Sequence, residues 1–430
     1  MMRKRRNGLK RIMIDKDELI RIKLEIEKYC PFEFIEYNIS EALSYNIMLY
    51  SHKSNMILLK MLFSPVFKDD YKLYGCNNDK KVLFLWGSSY MERQDHYEKF
   101  KKVVSCCNNY SLLKAERIIN FKNIFGMWRV LVWLWKYRKA GINSNLKKYI
   151  VFLMYDQYCK LNKIKRVVEN NNSIKLGVCW CDVHLSDYLF VKYLQQKGIK
   201  TATLQHGMFD PDEYLYKLAY INSPSDYFLC WNKLTKNIAH KLGCDIDKYI
   251  VTGAPQFIDS CNYSSCTISN NGVFGVALSS YLDEYDNIQL LNNADEIVKK
   301  YNLKCLVRLH PSLKKEEYSK YFVNDNIIVD NEKNFELYMG KCDFLLIANS
   351  GIYFNIIKNM KPFFQYDSGK NKLYKDVKWN KYTSLDELLL LYDRYIKDYT
   401  YMEKGLIEAK ALYLVNKPER ILYEEFFKKF

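Results

Sequence analysis

Residues 344–366 read FLLIANSGIYFNIIKNMKPFFQY, and the order of apolar and polar residues in this stretch decides the fold. Short apolar runs at 344–347 and 362–366 flank a small polar turn and the segment 351–359, whose apolar residues recur at helical spacing. Short continuous apolar runs are typical of strands that are buried on both faces, as in a parallel sheet. The stretch therefore predicts one strand, helix and strand unit of a parallel sheet.

The same alternation fills two blocks of the chain. In the first block, apolar runs predict strands at 81–86, 176–181, 201–205, 227–231 and 249–252. In the second block, they predict strands at 273–278, 304–309, 327–329, 344–347 and 362–366. The segment 260–272 between the blocks is small, polar and without periodicity, so we expect an interdomain linker there. Two such blocks predict two doubly wound, Rossmann-like α/β domains that face each other across a cleft.

The chain divides into four predicted parts. They are a helical N-terminal extension, a first Rossmann-like domain, a second Rossmann-like domain and a group of C-terminal helices, at 1–75, 76–260, 273–383 and 384–430. Within the first domain, the segment 109–170 is predicted to form two long helical stretches. We expect the C-terminal helices to pack back across the two domains.

Composition bounds the class of protein. The chain has 430 residues, of which 49% are hydrophobic, so it can form two packed domains and is not a disordered chain. Its 13 Cys have no regular spacing, which indicates reduced thiols. The basic N-terminus lacks the apolar stretch of a secretory signal, and no window reaches the about 20 apolar residues of a membrane span. We therefore expect a cytoplasmic protein that is at most peripheral to the inner face of the membrane.

The excess of positive charge points to anionic partners. Lys and Arg total 66 against 49 Asp and Glu, a formal net charge of +17. Residues 126–170 hold ten basic and two acidic side chains. Zinc-finger spacing, RNP-like aromatic motifs and basic heptad regions are missing from the sequence, so we expect no nucleic-acid partner. A polyanion-binding protein remains a competing class, and its retention on polyanions would fall steeply with salt.

The segment 126–139, GMWRVLVWLWKYRK, has two interpretations. Trp128, Leu131, Val132 and Trp135 recur at helical spacing, with basic residues beside them. Such a stripe most often belongs to the protein core, with the charges on a solvated face, and this interpretation is favoured. In the alternative, a basic helix bordered by Trp lies on an anionic membrane surface.

Candidate functional residues follow the predicted strands, because ligands of open α/β sheets bind beyond the carboxyl ends of the strands. His206 ends the strand at 201–205, and its imidazole suits proton transfer near neutral pH. Gly207 allows a sharp turn or a close approach of the backbone to a ligand. Arg308 and His310 stand at the end of the strand at 304–309 with one residue between them. On a regular strand they would share a face, where their donors could clamp phosphate oxygens.

Three further candidates lie in the turn after the strand at 344–347. Asn349, Ser350 and Gly351 precede a predicted helix, and free backbone amides at a helix start favour anions. Ser is also an ordinary N-cap residue, so the signal gains weight only beside Arg308 and His310. Asp330 and Glu332 follow the strand at 327–329. They are candidates for binding the ribose or base of a nucleotide, although solvated loop residues are the commoner case.

Other chemistries find little support. The D-x-D triplets at 210–212 and 245–247 match metal-dependent transferases, but such short patterns are frequent by chance. The sequence contains no P-loop, no G-x-S-x-G turn and no H-E-x-x-H helix, which disfavours P-loop nucleotide hydrolysis, serine hydrolysis and zinc peptidase chemistry. We expect neither a metal nor a cofactor.

Four motifs together resemble the CDP-glycerol glycerophosphotransferase family of teichoic acid synthesis and bacterial capsule polysaccharide transferases and sialyltransferases with a His-Pro motif. They are QHG at 205–207, VTGAPQFID at 251–259, RLHPS at 308–312 and CDFLLIANSG at 342–351, followed by Lys361-Pro362. The likeness spans about residues 175 to 368. It implies a GT-B fold, in which two Rossmann-like domains enclose the cleft.

The resemblance also implies roles for individual residues. The histidine before glycine, His206 here, is the candidate base that activates the acceptor hydroxyl. The His-Pro histidine and the serines of the later turn, His310 and Ser350 here, hold the phosphates of the donor. With them we group Arg308, Ser312, Asn349 and Gly351 as donor phosphate-binding residues.

Two departures from the family's pattern narrow what can be expected. The paired serines of the family are Asn349-Ser350 here, and its Gly-x-Pro-Arg is Gly253-Ala-Pro-Gln256. The missing arginine argues against CDP-glycerol itself and in favour of a nucleotide-activated sugar. The implied partners are a nucleotide-activated sugar or polyol donor, a saccharide or lipid-linked saccharide acceptor and an anionic inner-membrane surface. The alternative within enzymes is a nucleotide-sugar 2-epimerase of the same fold, which needs no acceptor.

Overall fold

The computed structural model describes residues 16–48, 55–67, 70–75, 80–207, 221, 223–260, 271–280, 283–322, 324–332, 334–348, 350–369 and 377–430. These residues form two sheets with helices packed against them. The described α-helices are Lys16–Lys28, Ile39–Met48, Asn55–Phe67, Gln94–Val104, Trp128–Lys136, Ser144–Glu169, Leu185–Gln196, Lys233–Lys241, Glu284–Tyr301, Lys315–Tyr318, Phe335–Gly340, Tyr353–Lys358, Leu385–Lys397, Tyr399–Tyr413 and Glu419–Phe427.

The first sheet has seven described strands in the order β1-β3-β2-β4-β5-β6-β7. They are β1 Asp70–Tyr74, β2 Val82–Trp86, β3 Tyr110–Glu116, β4 Leu176–Cys179, β5 Lys200–Leu204, β6 Tyr227–Cys230 and β7 Tyr249–Val251. Only the edge strand β1 is antiparallel to its neighbour. The order reverses between β2 and β4, and this switch point is where ligands bind in such sheets.

The second sheet has six described strands in the order β10-β9-β8-β11-β12-β13, all parallel. They are β8 Val273–Ala277, β9 Lys304–Arg308, β10 Ile327–Val329, β11 Leu345–Ile347, β12 Phe363–Tyr366 and β13 Lys381–Tyr382. Renumbered from β8, this order is 3-2-1-4-5-6, that of a Rossmann domain, with its switch point between β8 and β11. The predicted α/β class with two doubly wound sheets is confirmed.

Two predictions about the first 170 residues are wrong. Residues 110–116, predicted as helical, form the strand β3, which pairs with β1 on one side and β2 on the other. Residues 70–74, placed in a helical extension, form β1. The sequence of β3, YSLLKAE, is rich in helix formers, so local preference pointed to a helix, while pairing with two strands distant in sequence determines the observed conformation.

The favoured interpretation of residues 126–139 is also wrong. The helix Trp128–Lys136 buries Val130 and Trp133, and its core contact continues at Tyr137. The predicted core stripe of Trp128, Leu131, Val132 and Trp135 is exposed, with 71% of the Leu131 surface accessible. The helix is amphipathic, but two apolar faces compete for the core and the smaller one occupies it.

The last helix joins the two halves of the molecule. Tyr423, Phe426 and Phe427 of Glu419–Phe427 pack into the core on one face of the first sheet, where the rings of Phe427 and Phe84 lie 5.6 Å apart. At its start, Glu419 forms a buried ion pair with Lys358 of the second domain, 3.0 Å between Nζ and Oε1. The last helix therefore contacts the first domain through its aromatic side chains and the second domain through Glu419.

Gly253 allows this helix to approach. Its φ is +83°, a conformation that favours glycine, and a Cβ atom there would lie 2.4 Å from Cγ of Glu419. The Tyr423 hydroxyl donates to the Gly253 carbonyl oxygen at 3.2 Å. Gly253, which begins the motif at 253–256, thus has a packing role.

Candidate active site

The loop after β5 holds His206 at the carboxyl edge of the first sheet. The buried Gln205 side chain fixes this loop: its Nε2 donates to the Gly207 carbonyl at 2.9 Å, and its Oε1 accepts from the Trp231 backbone at 2.8 Å. The Trp231 indole N–H donates a hydrogen bond to the Gln205 carbonyl oxygen at 2.8 Å. The ends of β5 and β6 are thereby tied together, and His206 projects from a rigid base. Gly207 has no positive φ, and a Cβ there would meet no described atom within 4 Å.

Two other histidines, His96 and His184, lie near His206. The ring of His206 lies 6.4 Å from that of His96, 6.0 Å from Tyr90 and 6.3 Å from Trp180. His184 lies 4.8 Å from the Tyr90 ring. We call His96, His184 and His206 the histidine cluster. Sequence analysis missed its first two members, although both follow predicted strands, because the strand order that brings the loops after β2 and β4 together was not known.

All three imidazoles of the histidine cluster are neutral at pH 7. Burial lowers the pKa of His206 to about 3 and that of His96 to about 4, with further lowering by the cations of Arg93 and Lys99. Burial alone lowers the pKa of His184 to about 4. A neutral imidazole can accept a proton, and a nearby anion would raise its pKa and make it a better base.

Arg93 extends from the first domain toward the second. Its guanidinium forms two hydrogen bonds with Asp95, of 2.9 and 2.8 Å, and its Nη2 lies 2.8 Å from Nε2 of His96. The charge of Arg93 lowers the pKa of His206 and also that of His310 on the second domain. One exposed cation is therefore close to candidate residues of both domains.

Arg308 is the last residue of β9, and its side chain lies along the surface of the second sheet. The guanidinium sits 5.2 Å above the Phe335 ring, within reach of the charges of Asp330 and Glu332. Partial burial lowers its pKa from the ordinary value, with these carboxylates opposing the shift. The predicted shared strand face with His310 does not apply, because the strand ends at Arg308, but the two side chains remain near enough for Arg308 to lower the pKa of His310.

His310 is oriented by Ser312. The Ser312 backbone N–H donates to Nδ1 of His310 at 3.1 Å, and its hydroxyl lies 2.8 Å from the same atom. Because Nδ1 accepts a hydrogen bond, the neutral ring carries its proton on Nε2, the other nitrogen. Burial is the main cause that lowers the pKa of His310, followed by Arg308 and Arg93. Nε2 is therefore a neutral donor, suited to a phosphate oxygen.

Ser350 and Gly351 follow β11 at the same edge of the sheet. Ala277 of β8 pairs with both Arg308 and Ile347, so β9 and β11 flank β8 at one level, about 10 Å apart at the usual strand spacing. The helix after the turn begins at Tyr353, later than predicted, and Ser350 accepts from the Ile352 N–H at 3.5 Å. Gly351 is exposed. Asn349 lies outside the described residues.

Asp330 and Glu332 are engaged within their loop. Lys341 donates to both oxygens of Asp330, at 2.9 and 3.2 Å, and the Glu332 N–H donates to Oδ1 at 2.9 Å. Burial raises the pKa of Asp330, but these hydrogen bonds outweigh it and the pKa is lowered. The Glu332 carboxylate accepts from the Asn334 N–H at 2.9 Å. A role of these residues in nucleotide binding stays a prediction.

The loop after β8 was not predicted as part of the site. Ser279 and Ser280 follow β8 at the switch point, and Asn287 holds this turn by accepting from the Ser279 N–H at 2.7 Å. Asp283 is near enough to His310 for its charge to oppose the lowering of the pKa of that imidazole by burial. The strand-end rule that identified His206 would have found these residues had it been applied to the end of β8.

Metal ligands and membrane spans are not found in the part of the chain that the structure describes. No group of three or more His, Cys, Asp or Glu side chains there is arranged to hold a metal ion. Asp245 accepts from the Asp247 N–H at 3.0 Å within a tight turn, and the triplet at 210–212 lies outside the described residues. Among the described helices, none combines the length and apolarity needed to cross a membrane. The expected independence of metal and cofactor stays a prediction.

Comparison with known proteins agrees with the fold. No protein-family model matches the sequence, and no curated protein matches it. The solved S. aureus MnaA-UDP co-structure is 14% identical, with 81% of this chain and 97% of that chain covered and a TM-score of 0.52. The UDP-GlcNAc 2-epimerase from Neisseria meningitidis bound to UDP-GlcNAc is 14% identical over 81% and 98% of the two chains, with a TM-score of 0.50.

A match of lower TM-score covers more of the chain. The wall teichoic acid polymerase TagF is 14% identical over 96% of this chain and 98% of that chain, with a TM-score of 0.44. The two sheets and the first two matches define a protein of the GT-B fold, as the sequence motifs implied. At these identities the matches show the fold alone, so the reaction is argued from the candidate residues.

Proposed function

We propose that the protein is a glycosyltransferase of surface polysaccharide synthesis, such as that of capsule, O-antigen or teichoic acid. It would move a sugar or a polyol phosphate from a nucleotide-activated donor to a hydroxyl group of a saccharide acceptor. The observation that carries the proposal is that candidates of both domains lie at strand ends, since His206 follows β5 and His310 follows β9, with Arg93 near enough to lower the pKa of both. A base candidate and a phosphate-binding candidate therefore border the same cleft.

The reaction assigns a different task to each domain. The acceptor hydroxyl on the first domain attacks the donor, and His206 takes up its proton. The bond between the transferred group and the nucleotide breaks, and its electron pair stays on the leaving phosphate. Arg308, Nε2–H of His310 and the Ser350 hydroxyl stabilise the charge that develops there. Ser312 acts through His310, because its N–H fixes the imidazole tautomer.

The low pKa of His206 fits an ordered reaction. Without a ligand, burial and the cations of Lys99 and Arg93 disfavour the charged imidazolium form of His206. Its pKa is therefore low, and His206 is a weak base. A bound nucleotide brings negative charge near Arg93 and offsets these cations, which raises the pKa of His206. The base would therefore become more effective once the donor is in place.

The test separates catalysis from binding. His206→Ala should reduce transfer of a labelled sugar by at least 100-fold, within the range for the loss of a general base, while nucleotide binding persists. His240→Ala, on an exposed helix surface away from the cleft, is the matched control. Simultaneous loss of binding and transfer in a folded His206→Ala protein would contradict the assignment of His206 as base.

Product analysis separates this proposal from its alternatives. A transferase converts the donor only when an acceptor is present, whereas a nucleotide-sugar 2-epimerase converts it without one. A protein that only binds polyanions would be indifferent to nucleotides. A thermal-shift panel of CMP, CDP, UDP and GDP and their sugars identifies the base, because a ligand that binds the native state raises its apparent stability.

An exposed aromatic surface supports a membrane-bound acceptor. The helix Trp128–Lys136 and the turn before it expose a set of large apolar side chains: Phe121, Ile124, Phe125, Trp128, Leu131 and Trp135. Basic residues border them, and the guanidinium of Arg138 stacks 3.8 Å above the Trp135 ring. Aromatic and basic residues together suit the headgroup region of an anionic membrane. We call this set the aromatic surface and propose that it holds the chain where a lipid-linked acceptor lies.

A further inference from the structure

A cavity lies at the switch point of the first sheet. It has a volume of about 230 Å³. Ser88 and Ser89, which follow β2, and Leu185 and Ser186, which follow β4, form one side of it. The other lining residues come from three helices and are Asn46, Met61, Ser64, Phe152, Leu153, Asp156, Gln157 and Lys160. Loops that diverge at a switch point leave such a crevice.

A buried ion pair organises the polar wall. Lys160 donates to Oδ2 of Asp156 at 2.7 Å and to the hydroxyl of Ser88 at 2.9 Å, and both charged residues are more than nine-tenths buried. Gln157 donates through Nε2 to the same Oδ2 at 2.8 Å. The Ser88 hydroxyl also lies 3.3 Å from that of Ser186. The pair thus links the long helix to the loops after β2 and β4.

Three acceptor atoms of the wall are left without a donor among the described residues. Oδ1 of Asp156, Oε1 of Gln157 and Oδ1 of Asn46 are buried and have no hydrogen-bond partner among the described residues. The orientation of the Gln157 amide follows from Asp156, because only its NH₂ group can face the carboxylate. A buried acceptor that lacks a donor destabilises by about 1–3 kcal/mol, so a ligand that brings donors would be stabilised at this wall.

We propose that this cavity binds one polyhydroxylated ring, the terminal sugar of the acceptor. Sugar hydroxyls are neutral donors and can satisfy the three oxygens, whereas a phosphate brings mainly acceptors and negative charge to a wall where Lys160 is already paired with Asp156. Met61, Phe152 and Leu153 offer an apolar wall for the C–H faces of a ring. The volume is below the about 300 Å³ at the lower end of ligand pockets, which fits a single ring.

The cavity adjoins the histidine cluster. Ser88 and Ser89 precede Tyr90, whose ring contacts His184 and His206, and Ser186 lies two residues after His184. The cavity and the histidine cluster therefore share the loops after β2 and β4. The assignment of the ring to the acceptor rests on the proposed function, because the phosphate-binding candidates of the donor lie on the second domain.

The experiment measures binding of free sugars to the full chain. Glucose, galactose, N-acetylglucosamine and inorganic phosphate are tested by saturation-transfer NMR without nucleotide, and UDP and CDP binding is measured in parallel by thermal shift. Ser64→Phe fills the cavity and leaves Asp156 and Lys160 intact. Ser144→Phe, at the exposed start of the same long helix, is the matched control. Gln157→Leu removes one acceptor.

Binding of at least one free sugar to wild type and Ser144→Phe, lost in Ser64→Phe and weakened about 5-fold in Gln157→Leu, supports the proposal. The proposal is overturned if Ser64→Phe leaves sugar binding unchanged or if phosphate alone binds. It is also overturned if nucleotides bind but free sugars do not, because the cavity would then hold only water. Binding of sugars only as nucleotide sugars would assign the ring to the donor and also overturn it. Sugar binding without any nucleotide binding would leave the cavity assignment standing and contradict the proposed transferase.

Discussion

Burial of three imidazoles makes the first domain sensitive to acid. In the folded chain the pKa values of His96 and His184 are about 4 and that of His206 is about 3. In an unfolded chain the value is about 6.5. Between these values the unfolded state binds more protons than the folded state, so stability falls as the pH drops from 7 through 6.5 toward 4. The arrangement is unfavourable for stability alone, as is common for functional groups.

His184 provides the cleanest measurement of this effect, because burial is the only cause that lowers its pKa. We expect His184→Phe to remove about one proton from the uptake on unfolding, which lowers the slope of stability against pH by about 1.4 kcal/mol per unit between pH 6 and 4.5. Urea unfolding at a series of pH values measures this slope. His240→Phe is the control, and an unchanged slope in His184→Phe would show that its imidazole is already protonated in the folded state.

The candidate residues could be predicted only in part from the sequence. His206, Arg308, His310 and Ser350 all follow apolar runs, and a single rule about strand ends selects them. His96 lies further from its strand, after a turn and inside a helix, so that rule does not reach it. Its place beside His206 depends on which strands are neighbours, and neighbouring strands are set by long-range packing.

At the scale of helices and strands, prediction succeeded where a pattern is local. The strands β8, β9 and β10 are short apolar runs and were found within one residue of their bounds. The strand β3 was missed because its helix-forming residues are held in a sheet by two partners. The helix Trp128–Lys136 was found, but which of its faces is buried depends on neighbouring helices that the sequence of the helix does not specify.

The aromatic surface leads to a prediction about membrane binding. Replacing Trp128, Leu131 and Trp135 by Ala should weaken binding to anionic lipid vesicles by at least 10-fold, because these side chains are exposed and contribute apolar area only at the membrane. Co-sedimentation with vesicles of phosphatidylglycerol and phosphatidylcholine measures it. The melting temperature should stay unchanged.

The exposed Leu390, on a helix of the second domain, offers a matched control. Leu390→Ala should bind vesicles as the wild type does. Equal vesicle binding by the triple variant and the wild type would mean that the aromatic surface contacts something other than lipid. Vesicle binding that depends on salt-sensitive charge alone would mean the same.

At the scale of the whole molecule, the two domains are connected through a few buried contacts. The rings of Trp231 and Phe354 lie 5.2 Å apart, and Asn232 donates to the Tyr413 carbonyl at 2.9 Å. The ion pair of Lys358 and Glu419 lies beside the close approach of Gly253. These contacts fix where the first domain meets the second, and hence the distance between the histidine cluster and the phosphate-binding candidates.

Substitution of Gly253 tests this connection. Gly253→Ala combines a left-handed φ with a steric clash against Glu419, so we expect a loss of stability of about 2–4 kcal/mol. Gly198→Ala is the matched control: its φ is +72° but its Cβ would meet no described atom within 4 Å, and about 1–2 kcal/mol is expected. Chemical unfolding measures both. Equal losses of stability in the two variants would show that the last helix can move away from the added methyl group without a further loss of stability.

The central claim is that the cleft grips the phosphates of a nucleotide-activated donor through residues of the second domain. Calorimetric titration of the full chain with UDP and CDP, compared with Arg308→Ala and His310→Ala, tests it most directly. We predict that at least one nucleotide binds the wild type and that each substitution weakens binding by about 10-fold or more, the size expected for a lost charge-assisted hydrogen bond. Nucleotide binding that both substitutions leave unchanged would contradict the claim.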